Sequence, residues 1–133
     1  MKWILKGSAT IQEIQNDFRQ IFSHLKIEFY NAPHSSAEGS SQKEQYLHNI
    51  HLADILGHSA DIELELNPKM STGDFERMLA DSYHLHSQIF RLQRGTWLQT
   101  TLSDAMSLES QNQKGIEADS NSEPITASDF DLE

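Results

Sequence analysis

The sequence predicts an α+β fold. It should have two layers: a four- to five-stranded, mostly antiparallel sheet with two amphipathic helices on one face, then a C-terminal hairpin and a short helix. Three observations predict it. Short runs alternate apolar and polar residues, as half-buried strands do. Two stretches open with a capping signal and continue with helical periodicity. Strand, capped helix and strand then occur twice, over 2–30 and 61–92, at a constant offset of 61 residues. Thr10, Glu13, Ile14, Phe18 and Phe22 fall onto Ser71, Asp74, Phe75, Leu79 and Tyr83. Two β-α-β halves of this size suggest a split, ferredoxin-like sheet.

Residues 2–6 (KWILK) read as a short strand. In the next segment Thr10 is followed three residues later by Glu13, a capping box. Ile11, Ile14, Phe18, Ile21 and Phe22 form one helical face. LKIEFY (25–30) alternates, with Leu25, Ile27 and Phe29 on one side and Lys26, Glu28 and Tyr30 on the other. Residues 31–44 are loop by composition. Residues 46–56 suggest a short helix ended by Gly57. DIELEL (61–66) alternates again, and Pro68 stops it. Ser71 with Asp74 opens the second long helix. Residues 107–115 read as a helix with Ser107 as cap and Gly115 at the C′ position.

The hairpin in QIFRLQRGTWLQTT (88–101) admits two loops. A two-residue Arg94-Gly95 turn of type I′ needs positive φ at both positions, which Arg resists. A three-residue Gln93-Arg94-Gly95 loop needs it only at Gly95 and is preferred. Arg91 then pairs with Trp97, and Phe90 with Leu98. Phe90, Leu92 and Leu98 would face the helices, while Ile89, Arg91, Trp97 and Gln99 would face outward. Arg91 beside Trp97 would make a cation–π pair on that face, unless the 107–114 helix covers it.

The chain has 133 residues, 20 acidic and 10 basic, for a formal charge of −10. Six of the acids lie beyond Gly115, where there is no base, leaving 14 acids against 10 bases before it. The expected organisation is therefore a single α+β domain over 1–115 and an acidic, disordered tail over 116–133. This balance disfavours nucleic acid, whose phosphates need a basic stripe, and an anionic membrane surface. With no cysteine, disulfides, thiolate zinc sites and thiol catalysis are excluded. Trp3-Ile4-Leu5 is far shorter than the roughly 7–15 apolar residues of a secretory signal or the about 20 of a spanning helix. A cytoplasmic location is the expectation.

Chemistry is sparse. His48 with His51, and His58, His84 and His86, do not make a recognisable metal-ligand spacing. No nucleophile elbow or phosphate loop is present. No cofactor or metal is expected. The leading expectation is a non-enzymatic protein-interaction module, its partner unidentified and self-association left open. Its candidate surface comprises Arg91, Trp97, Gln99, His34, Asp104, Gln111 and Asn112. Ile125, Phe130 and Leu132, interleaved with acids, form a candidate tail motif. The alternative is a small-molecule sensor or enzyme with His34, Trp97, Asp104, Gln111 and Asn112 around one pocket.

LKIEFYNAPH and GTWLQTTLSDAMSLESQNQKG resemble a family of small bacterial proteins seen chiefly in Bacteroidetes, with a LKIEFF…PH strand and a WLxTTxxDxxTLxxQNxxG stretch. The matching residues are Pro33, His34, Trp97, Leu98, Thr100, Thr101, Asp104, Leu108, Gln111, Asn112 and Gly115. Met106-Ser107 departs from the pattern, where an aromatic and Thr are expected. The resemblance spans roughly residues 10–115 and implies a shared fold, not a reaction.

Overall fold

The structure is a computed structural model that describes residues 1–31, 45–120 and 131–132. In chain order it contains β1 (Lys2–Leu5), α1 (Ile11–Ile21), β2 (Leu25–Tyr30), α2 (Leu52–Leu56), β3 (Ile62–Glu65), α3 (Thr72–Tyr83), β4 (His86–Gln93), β5 (Thr96–Gln99), α4 (Leu108–Ser120) and the two-residue β6 (Asp131–Leu132). The two-layer α+β class holds. The strands form two antiparallel sheets, β1–β3 and β2–β4–β5, with β6 on the outer edge of β5. A single ferredoxin-like sheet is thus not the observed pairing: each strand of the first half pairs with its own counterpart in the second.

The internal repeat runs deeper than the sequence suggests. β2 and β4 pair from Leu25↔Arg91 to Tyr30↔His86, and β1 and β3 pair around Trp3↔Leu64. Both registers are those of a two-fold relation between halves offset by 61 residues. The hydrogen bonds repeat too. Ile11 N–H donates to Ile50 O and Leu52 N–H to Ala9 O, both at 2.9 Å. Thr72 N–H donates to Met106 O (2.9 Å) and Leu108 N–H to Met70 O (3.1 Å) in the same roles. Helices α2 and α4 are therefore counterparts, and each half is β-α-β-α.

Each long helix starts where its cap dictates. Glu13 N–H donates to Thr10 Oγ1 at 3.2 Å while the Glu13 carboxylate accepts Thr10 N–H at 3.1 Å. Asp74 N–H donates to Ser71 Oγ at 3.1 Å. These bonds satisfy amides that have no partner within the helix. The faces that follow meet at Phe18, which is fully buried and lies 5.6 Å from Trp3, 5.4 Å from Phe22 and 6.0 Å from Phe75 between ring centroids. Neither half could bury these rings alone. The core joins α1, α3, both sheets and Leu52 and Leu108 of the minor helices.

Three expectations are corrected. The hairpin uses the two-residue turn: Arg94 (φ 52°) and Gly95 (φ 79°) are both left-handed. Pairs are Phe90↔Gln99, Arg91↔Leu98 and Leu92↔Trp97, one residue away from the expected register, which turns β5 over. The primed turn matches the strand twist, and anchoring by Asp119, whose Oδ1 accepts Arg94 N–H at 3.3 Å, helps offset the strain at Arg94. Second, Gly115 is not a helix stop. α4 continues to Ser120, so the helical domain extends past 115. A Cβ at Gly115 would meet Leu92 O at 2.6 Å and His24 Cβ at 2.9 Å; the glycine lets the helix lie directly on the β4 backbone. Third, the helix expected over 46–56 is confined to Leu52–Leu56, ended by Gly57 at φ 77°. Residues 32–44, with Pro33 and His34, and 121–130, with Ile125 and Phe130, lie outside the described residues.

Gly115→Ala gives opposite signs for the two roles. A glycine merely inside a helix would gain up to about 1 kcal/mol from alanine, whereas overpacking against backbone costs about 1–3 kcal/mol. We expect a net loss of stability by urea denaturation; a more stable alanine variant would refute the close-approach role.

Candidate functional site

The register places Lys26, Glu28, Phe90, Leu92, Trp97 and Gln99 on one face of the β2–β4–β5 sheet, and Leu25, Ile27, Ile89, Arg91 and Leu98 on the other. Arg91 and Trp97 are thus on opposite faces. Arg91 is fully buried. Its Nη1 donates to Gln111 Oε1 at 2.7 Å, and Gln111 Nε2 donates to Ser103 O at 3.0 Å and Ser103 Oγ at 2.8 Å. Asn112 Oδ1 accepts His24 N–H at 2.7 Å. Asp104 O accepts Gly73 N–H at 2.9 Å. Arg91, Gln111 and Asn112 therefore fasten α4 to β4 and to the residue before β2, and Asp104 ties the 101–107 segment to α3. They do not share a pocket with Trp97. Gln99 is half-buried on the Trp97 face and pairs with Asp131, and Leu132 stands opposite Leu98 in the backbone register.

What surrounds Trp97 comes instead from the first half of the chain. The Arg19 guanidinium carbon lies 4.8 Å and Lys26 Nζ 5.1 Å from the Trp97 ring centroid, with Lys26 also 4.8 Å from that of Phe90. The expected cation–π contact exists, but its partners are Arg19 and Lys26. Helix α4 does not cover this ring; it lies against Arg91. Two residues along β2, Glu28 is buried at 2 % exposure. Its Oε1 accepts from Gln15 Nε2 at 2.5 Å and lies 3.3 Å from His48 Nε2, and Oε2 is 3.6 Å from Lys26 Nζ. A buried carboxylate ringed by donors avoids the desolvation penalty of an isolated charge.

These groups line a cleft made of two recesses with lining residues in common. An open part of about 700 Å³ is bounded by Lys26, Glu28, Tyr46, Leu47 and His48, among others. A smaller recess of about 160 Å³ runs under Gln15, Arg19 and Trp97. Lys26, Glu28 and His48 border both. Gln15 also donates to Ile27 O at 2.7 Å and Tyr46 N–H to Phe29 O at 2.8 Å, so the outer edge of β2 is closed by the same residues that shape the cleft. Periodicity puts Lys26 and Glu28 on the polar side of β2, with no sign that they border a site. The signal for them was weak: a carboxylate between two lysine- or tyrosine-bearing positions reads the same whether or not something packs over it.

The second half carries a related feature. Glu76, counterpart of Gln15, is buried and accepts Ile89 N–H at 2.7 Å. Burial pushes its carboxyl well above the ordinary range, the Ile89 amide opposes this, and nearby Asp104 adds to it. A further line of bonds joins Ser23 Oγ to His24 Nδ1 (2.9 Å) and His24 Nε2 to Asp119 Oδ2 (2.6 Å). It has the residue types of a hydrolase triad. The amides beside Ser23 are already spent, His24 N–H on Asn112 and Leu25 N–H on Phe22 O, so they cannot hold an oxyanion. The bond from His24 holds the Asp119 carboxyl below its usual range and ties down the last turn of α4. No group of metal-ligating side chains occurs among the described residues, nor does a helix long and apolar enough to cross a membrane. No family model, curated protein or solved structure matches the chain.

Glu76→Gln tests the burial. A raised carboxyl pKa makes a stability contribution that is complete below the ordinary glutamate range and is lost as pH rises through the folded-state value. Gln keeps an acceptor for the Ile89 amide without that loss. The variant should gain on the wild type steadily between pH 4 and 8 in thermal denaturation. A gap that shrinks with rising pH would contradict this.

Proposed function

We propose that the domain is a non-enzymatic binding module whose contact surface is the sheet face around Trp97, and that it takes an acidic group of a protein partner. The carrying observation is the placement of two cations, Arg19 and Lys26, against one half-exposed indole. A carboxylate arriving there meets charge-assisted donors beside a flat apolar surface. Trp and Arg together are the residue types that most often dominate interface energies. The rest of the body is mildly acidic, so the positive spot is local. That suits a single acidic side chain or short acidic segment and not a polyanion such as nucleic acid, which needs an extended basic track.

A second reading has its own support. The open part of the cleft, about 700 Å³, falls in the size range of small-molecule pockets, and Tyr46 and Leu47 give it apolar walls beside Lys26, Glu28 and His48. A small anion would fit that chemistry. A small-anion ligand should raise the melting temperature of the wild type and not of Lys26→Ala.

Affinity capture with the whole chain as bait tests the leading reading. Trp97→Ala and Arg19→Glu should each reduce recovery of a partner at least tenfold while leaving the circular dichroism spectrum unchanged. Added salt should weaken it as well, because the contact is exposed. A partner retained equally by both variants would show that the surface lies elsewhere.

A further inference from the structure

We infer that the cleft is a site for a small monocarboxylate with an apolar body, its carboxylate in the recess under Trp97 and its body against Tyr46 and Leu47. This rests on the small-ligand reading above and names the ligand's class and orientation. The two recesses differ in chemistry. The smaller, about 160 Å³, is lined by Arg19, Lys26, the carboxamides of Gln12 and Asn16 and the Trp97 ring, among others. The larger, about 700 Å³, is the one that Tyr46 and Leu47 line. Leu47 is the most exposed large apolar side chain among the described residues, at 69 %. Lys26, Glu28 and His48 border both recesses, so one small molecule can lie across them.

Arg19 is set to receive the carboxylate. Its Nε and Nη2 both donate to Ser23 O, at 3.2 and 3.1 Å, and its guanidinium carbon lies 4.8 Å from the Trp97 ring centroid. Its Nη1 has no partner among the described residues. A donor held in place before the ligand arrives loses little rotamer freedom on binding, and its bond to a carboxylate is charge-assisted. Charge then selects the ligand. Arg19 and Lys26 stand against one carboxylate, Glu28, which leaves a single positive charge in the recess. Glu28 is fixed: it is 2 % exposed and accepts from Gln15 at 2.5 Å. A monocarboxylate completes the balance. A phosphate dianion brings a second negative charge towards Glu28, and like charges repel more strongly where water is partly excluded. The body of the ligand contributes by taking apolar surface of Leu47 out of water.

Titration of the full chain with four probes tests this: acetate, phenylacetate, uncharged phenylacetamide and phenyl phosphate. It is followed by the Trp97 indole N–H and Leu47 amide signals in proton–nitrogen correlation spectra, at about pH 8, where an ordinary imidazole is uncharged and a phosphate monoester is a dianion. Phenylacetate should shift both signals and bind at least tenfold more tightly than each of the other three. Arg19→Gln should weaken phenylacetate at least fivefold. Leu47→Ser, at an exposed position, should erase the advantage of phenylacetate over acetate. Equal affinity for phenylacetate and acetate, binding of phenyl phosphate as tight as that of phenylacetate, full affinity in either variant, or no shift at either signal would each overturn the proposal. The two readings fail separately. Lys26-dependent stabilisation by small anions with no gain from the phenyl group removes the ligand class and its orientation alone, whereas stabilisation by no anion removes the small-ligand reading with them.

Discussion

The antiparallel pairing of β2 with β4 is the constraint from which the rest of the structure follows. It sets strand against counterpart strand across a two-fold relation and brings α1 and α3 together at Phe18 and Phe75. Each half is a β-α-β-α unit with one apolar side and nothing of its own to close it. A helix face of Ile11, Ile14 and Phe18 on two short strands leaves too much apolar surface in water for an isolated unit. Pairing the halves buries both faces at once. The repeated backbone bonds from Leu52 and Leu108 then dock the minor helices in matching places.

The departures from symmetry are where the two halves specialise. At matching positions Gln15 and Glu76 each reach the edge of a neighbouring strand. Gln15 donates into an open cleft beside Glu28, whereas Glu76 accepts from an edge that β5 takes over one residue later. The second half carries the hairpin and with it Trp97. The first half supplies Arg19, Lys26, Glu28 and His48. The first half lines the open part of the cleft by itself, and Trp97 of the second half joins it at the smaller recess. The buried Arg91–Gln111 bond does the complementary task on the opposite face, fixing α4 and so the turn at Arg94 that sets the register of β5.

The buried carboxylates among the described residues are held by partners. Glu28 has donors from Gln15, His48 and Lys26, and Glu76 has the Ile89 amide. Buried carboxylates persist where such partners offset desolvation. They tie helices to strand edges that would otherwise be templates for unwanted pairing.

Capping residues and periodicity by themselves determined the elements: Thr10 with Glu13 and Ser71 with Asp74 mark helix starts, and the alternation in LKIEFY marks β2 to the residue, because these signals are local. The 61-residue offset also announced two halves. Tertiary structure alone decided which strands pair, since any of four short alternating runs can satisfy any other. It decided the hairpin register as well: the strain of Arg94 in a left-handed conformation is a local penalty, and contacts from Asp119 and the burial of Leu98 outweigh it. It turned Gly115 from a stop signal into a point of close approach, because only a neighbouring backbone can reveal that a side chain would not fit. And it placed Arg19 and Lys26, not Arg91, beside Trp97, because a one-residue slip in an antiparallel pair exchanges the faces of a sheet.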